Sequence, residues 1–223
     1  VVYRSVIKDS ELLPGWPQRT VPNGYAPGMV GDNWNKQKQA LHFVDLDNDG
    51  IDEVVAYTSR SMRIWNQSGK ELWDSPVYLP ANLYYSNSSI TSFGDLDGDG
   101  DLEVIMVSNN KLYRANSDLE KSAVHALHHT GESVDGFPTA VITEDLWPSS
   151  LETTTPTTKL GAPIITDVDN DGLNEIVVTF GATGKVLLYV IENDGLVKSG
   201  WPVVVTDKAI DPTGNLLVVD TDG

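Results

Sequence analysis

Three acidic segments share one spacing. They are Asp45-Leu46-Asp47-Asn48-Asp49-Gly50-Ile51-Asp52-Glu53, Asp95-Leu96-Asp97-Gly98-Asp99-Gly100-Asp101-Leu102-Glu103 and Asp167-Val168-Asp169-Asn170-Asp171-Gly172-Leu173-Asn174-Glu175. Each places carboxylates at positions 1, 3 and 5, a glycine at 6 and a glutamate at 9. Alternate carboxylates in a tight turn converge on one hard cation, and the glycine permits the turn, so the chemistry is oxygen ligation of Ca²⁺. The side-chain ligands expected are Asp45, Asp47, Asp49 and Glu53; Asp95, Asp97, Asp99 and Glu103; Asp167, Asp169, Asp171 and Glu175. The backbone carbonyls of Ile51, Asp101 and Leu173 complete the sets, for about three ions in all.

An EF-hand needs a bidentate Glu at position 12 and a helix on each side. Position 12 is Ala56, Met106 and Val178, and the flanking Val/Ile runs favour strands. Each loop therefore joins two strands. No stretch has convincing helical periodicity.

A second signal recurs out of phase with the loops: Gly15-Trp16-Pro17, Gly136-Phe137-Pro138 and Gly200-Trp201-Pro202, with a weaker echo at Asp74-Ser75-Pro76. Proline cannot donate to a ladder, so these segments are expected on edge strands. Between loop and Pro motif lies a turn flanked by apolar runs, around Ser68-Gly69, Thr130-Gly131 and Asp194-Gly195, which reads as a hairpin. In the last unit the pattern reads as strands at 162–166, 175–180, 185–192 and 197–205, with a turn at 181–184. Four antiparallel strands in a repeat of about 60 residues make a propeller blade. The fold class expected is all-β, with blades at about 21–79, 80–142 and 159–206. One further blade is split between the termini, 207–223 joining 1–20, which gives a single four-bladed domain closed on itself. The alternative is a piece of a larger propeller, since the sequence reads as a mature or excised segment without a signal peptide.

The loop followed by Val-Val or Ile-Val resembles the FG-GAP/VCBS repeats of integrin alpha-subunit propellers and of secreted bacterial proteins, and the Gly-Trp-Pro segment is similar to the bacterial branch. The resemblance implies an extracellular or cell-surface calcium-binding propeller with a role in adhesion or ligand binding.

The net charge of −17 excludes a nucleic acid or an anionic membrane surface as the natural partner. No apolar run is long enough to span a bilayer. Cysteine is absent, so calcium loops take the place that disulfides hold in other exterior proteins.

The connections between blades, about 21–39, 79–89 and 143–159, carry Tyr25, Trp34, Tyr84, Tyr85 and Trp147. Long loops with aromatic rings suit a protein or glycan ligand, or further copies of the chain. Trp16, Phe137 and Trp201 recur with the repeat and are expected to pack between blades. His125, His128 and His129 form the one histidine cluster. On a strand His128 faces away from the other two, so convergence on a metal is not expected. No nucleophile, zincin or phosphate-loop motif is present. An enzyme of the polysaccharide-lyase type, drawing on Arg60, Arg63, Lys111 or Arg114, is the catalytic alternative; a fibre built by strand exchange is the structural one.

Overall fold

The structure, a computed structural model, describes residues 7–8, 11–12, 14–18, 40–57, 61–73, 77–78, 90–108, 123–141, 159–182 and 185–206. Every regular element in them is a β-strand. No helix among the described residues is long and apolar enough to cross a membrane. Val1–Asn87 and Ser88–Gly223 form two compact units.

In the first unit β1 (Ile7–Lys8) and β2 (Glu11–Leu12) pair as a short hairpin. β3 (Ala40–Val44), β4 (Glu53–Tyr57), β5 (Ser61–Trp65) and β6 (Val77–Tyr78) form an antiparallel sheet in sequence order. Val54 and Ala56 alternate onto the face that receives Trp16, whose ring meets Trp65 edge-on at 6.4 Å. The Trp16 indole N–H donates to the Gln67 carbonyl (2.9 Å), so the ring is anchored at its polar end as well.

The second unit repeats the design twice. β7 (Ile90–Gly94), β8 (Glu103–Ser108), β9 (Ala123–Leu127) and β10 (Thr139–Ala140) make one meander. The other has β13 (Glu175–Ala182), β14 (Lys185–Ile191) and β15 (Val203–Thr206) in order, with β11 (Lys159–Leu160) and β12 (Ile164–Thr166) both pairing with β13. Ile105, Val107, Val124, Ala126 and Phe137 from the first meander share one core with Ile176, Val178, Phe180, Leu187 and Ile191 from the second. Gly94 allows close approach, since a Cβ there would lie 2.8 Å from the Ile165 side chain.

The hairpins have the geometry that their sequence implies. The Gly69, Gly131 and Gly195 amides donate to Asn66, His128 and Glu192 carbonyls at 2.8–2.9 Å, and the glycines take φ of 74°, 89° and 80°. This is a type I turn closed by a left-handed residue.

The Pro motifs correct one expectation. Gly136-Phe137-Pro138 and Gly200-Trp201-Pro202 precede the edge strands instead of lying within them. β15 begins at Val203, not at Val197, which makes only an isolated bridge to Ile191. The Trp201 amide donates to Lys198 O (3.0 Å) and the Phe137 amide to Val134 O (3.1 Å), so each motif turns the chain before it rejoins the sheet. β13 also runs on through Gly181 and Ala182, which were expected in a turn. Closure of a split blade involves 207–223 and most of 1–20, which lie outside the described residues, as do Tyr25, Trp34, Tyr84, Tyr85 and Trp147.

Candidate metal centres

Each acidic loop lies at the same place, between the first and second strands of its meander: β3 and β4, β7 and β8, β12 and β13. Positions 4 and 6 reverse the chain. Asn48 and Asn170 take φ of 55° and 62°, Gly98 takes 80°, and the glycines at position 6 take 88°, 97° and 96°. Asn and Gly are the residues that enter this region at least cost.

The closing glutamates are buried in all three copies, at 3%, 0% and 1% exposure for Glu53, Glu103 and Glu175. Each accepts the amide of position 2: Leu46 N to Glu53 Oε2 at 3.1 Å, Leu96 N to Glu103 Oε2 at 2.7 Å and Val168 N to Glu175 Oε2 at 2.7 Å. One carboxylate oxygen of each glutamate thus latches the loop. Asp45 and Asp167 each accept the amides of positions 5 and 6 at 2.9–3.1 Å. In the second loop, with Gly98 at position 4, Asp95 instead accepts the Gly98 amide (2.7 Å).

Burial drives the Glu53, Glu103 and Glu175 carboxyls above the usual glutamate range. For Glu53 the Asp47, Asp49 and Asp45 carboxylates push the same way. Such groups ionise reluctantly until positive charge is brought to them.

The donor atoms of Asp167, Asp169, Asp171 and Glu175 all lie within 4.8 Å of one another, as do those of Asp45, Asp47 and Glu53, and those of Asp95, Asp97 and Asp99. Oxygens that share an ion at about 2.4 Å stand no farther apart than that, so the donor sets fit Ca²⁺. Asp49 is turned toward its own loop and accepts the Ile51 amide (2.8 Å). Asp101 enters by its side chain, grouped with Asp99 and Glu103.

Three basic side chains reach these loops that the spacing did not identify. Lys198 Nζ lies 2.7 Å from Asp169 Oδ2 and 2.7 Å from Glu192 Oε1. His129 pairs with Asp101. His128 Nδ1 lies 3.1 Å from Glu103 Oε1 and 3.9 Å from Asp97 Oδ2. His128 and His129 meet different carboxylates, and among the described residues no group of potential metal ligands contains more than one of the histidines. Their signal was the register: the ladder that pairs Val104 with Leu127 sets His128 opposite Glu103.

The family described as FG-GAP-like repeat matches residues 45–106, from the start of the first acidic loop through the second. A comparison with curated proteins returns no match. Among solved structures the chain is similar to the V. cholerae biofilm matrix protein Bap1, at 20% identity and a TM-score of 0.34, over 79% of this chain and 30% of that one. The chain thus spans less than a third of the length of that protein.

Proposed function

We propose that this chain, whose residues 45–106 match the FG-GAP-like repeat family, is an FG-GAP-type repeat protein: a calcium-stabilised, non-catalytic propeller module that works outside the cell, binding a protein or glycan or assembling with its own copies. The observation that supports this reading is the recurrence of a carboxylate cluster, with positions 1 and 3 in every copy, at one place in three successive meanders, each with a buried glutamate latched to position 2. Asp45, Asp47 and Glu53, Asp95, Asp97 and Asp99, and Asp167, Asp169, Asp171 and Glu175 would hold the ions. Bound calcium supplies the charge that neutralises these carboxylates and ties the ends of two strands together. Three ions would change the formal charge from −17 to about −11.

Self-assembly has an observation of its own. Among the described residues β15 is the last strand of its sheet and exposes Val203, Val204 and Val205, and an apolar edge offers backbone groups and side chains for strand addition. The lyase alternative gains nothing from Arg63, whose guanidinium is held by Glu71 at 3.1 Å. Arg60, Lys111 and Arg114 lie outside the described residues.

Size exclusion with light scattering, in calcium and after chelation, tests the reading when paired with a glycan-binding screen and an assay for unsaturated uronic acid products. Calcium-dependent association or glycan capture without cleavage is the expected result. Release of unsaturated product overturns the non-catalytic reading.

A further inference from the structure

The three loops are not chemically equivalent, and the difference comes from the hairpin opposite each one. Extending the ladders by one pair past Val54–Trp65, Val104–Leu127 and Ile176–Ile191 sets Asn66 opposite Glu53, His128 opposite Glu103 and Glu192 opposite Glu175. Asn66 Oδ1 is committed to its own turn, accepting the Ser68 and Lys70 amides at 3.1 Å each. Glu192 is committed to Lys198 (2.7 Å). In the second loop an imidazole faces the carboxylates.

We propose that His128, Glu103 and Asp97 form a binding site for a borderline divalent transition metal, Zn²⁺ or Co²⁺ in kind, which the first and third loops do not share. Calcium takes oxygen ligands, whereas an imidazole nitrogen joined to carboxylates suits zinc and its neighbours. The three ligand atoms lie within 4.8 Å of one another. Two ligands about 2.1 Å from a tetrahedral ion stand roughly 3.4 Å apart. His128 Nδ1 and Glu103 Oε1 are hydrogen-bonded at 3.1 Å, and Asp97 Oδ2 lies 3.9 Å from the same nitrogen, so the two separations bracket that spacing.

Both principal ligands are placed by the sheet. Glu103 begins β8, is fully buried and is latched by the Leu96 amide, while His128 follows β9 directly across the ladder. A site on paired strands is held more precisely than one on a free loop. Asp97 and His128 also line a surface cleft with Asp135, Asn193 and Asp194. That cleft gives an ion a path in and leaves room for a water or a partner's donor at the remaining position. Asp97 belongs to the calcium donor set as well, so the two metals compete at this loop alone.

The test is a Co²⁺ titration of the full chain in calcium, reading bound metal and the visible d–d absorption. The site predicts one equivalent with an intense band of low coordination number, and at least a tenfold loss of Co²⁺ affinity in His128→Gln. A second measurement needs no variant: modification of the wild-type histidines by diethyl pyrocarbonate, mapped by mass spectrometry, with Zn²⁺ present and absent. Zinc must protect His128. Co²⁺ binding that is absent or unchanged in His128→Gln, or His128 modified equally with and without zinc, overturns the proposal. The calcium reading fails by a separate sign, a wild-type melting temperature indifferent to calcium.

Discussion

Gly136 and Gly195 meet backbone to backbone in the second unit, with Gly195 buried and Gly136 at the surface. A Cβ on Gly195 would lie 2.4 Å from the Gly136 carbonyl oxygen, and one on Gly136 would lie 1.8 Å from the Asp194 carbonyl oxygen. The pair Gly15 and Gly69 repeats the contact in the first unit, with a Cβ on Gly69 falling 2.4 Å from Gly15 O. The glycine of a Pro motif and the glycine of a hairpin tip are therefore two halves of one contact. Thr139 Oγ1 donates to Gly195 O (2.6 Å) and fastens it further.

This contact separates two substitutions that look alike in the sequence. Gly136 and Gly200 have nearly the same φ, 87° and 88°, but nothing stands within 4 Å of a Cβ on Gly200. Gly200→Ala is expected to cost only the backbone strain of a left-handed residue, about 1 kcal/mol. Gly136→Ala adds a collision with main chain that cannot rotate away, and is expected to cost about 3 kcal/mol or more. Urea unfolding of the two variants in calcium checks the order; equal losses would show that the contact does not hold the meanders together.

A pH dependence follows from His125, in the middle of β9. Burial pushes its imidazole down to about 4. A histidine whose folded value lies below its unfolded value of 6.5 contributes stability that is complete above 6.5 and is lost as pH falls toward 4. The loss is at most about 3 kcal/mol. In saturating calcium, His125→Gln should flatten the decline of stability between pH 6.5 and 4.5 relative to wild type. Parallel curves would show that His125 does not titrate with folding.

Lys198 bears on the third loop. Its ammonium holds the Asp169 carboxylate below the usual aspartate range by hydrogen bonding, and its own value is raised by Asp169 and Glu192. An ammonium at position 3 opposes a second cation. Lys198→Gln is expected to tighten calcium binding severalfold in low salt and to have less effect in high salt. Calorimetric titration decides it; weaker binding in the variant would mean that Lys198 positions the loop instead of competing with the ion.

How much of this was open to sequence reading varied with the range of the interaction. The loops were legible because their constraints are local: carboxylates at fixed offsets, with Asn48, Asn170 and the glycines where φ must be positive. The meanders were legible because each loop and hairpin falls between β-type runs. The ends of the strands were not. Val197 looks like strand continuing into Val203, yet the Trp201 amide is used in a turn and Pro202 donates nothing, so pairing stops and restarts. The approach of His128 to Glu103 was not legible either, because it depends on the register between β8 and β9 and not on any local pattern. Lys198 reaches Asp169 from 29 residues away, and no local pattern encodes that approach.

The calcium claim is tested most directly by one measurement, the thermal midpoint of the full chain in millimolar calcium and after complete chelation. Ligand that binds the folded state alone stabilises it by about 2.7 kcal/mol per site at a hundred times its Kd. With three loops, each tying two strands at a buried glutamate, the account predicts a large fall in the midpoint on chelation, reversed by restoring calcium. A midpoint that stays the same with and without calcium would contradict it.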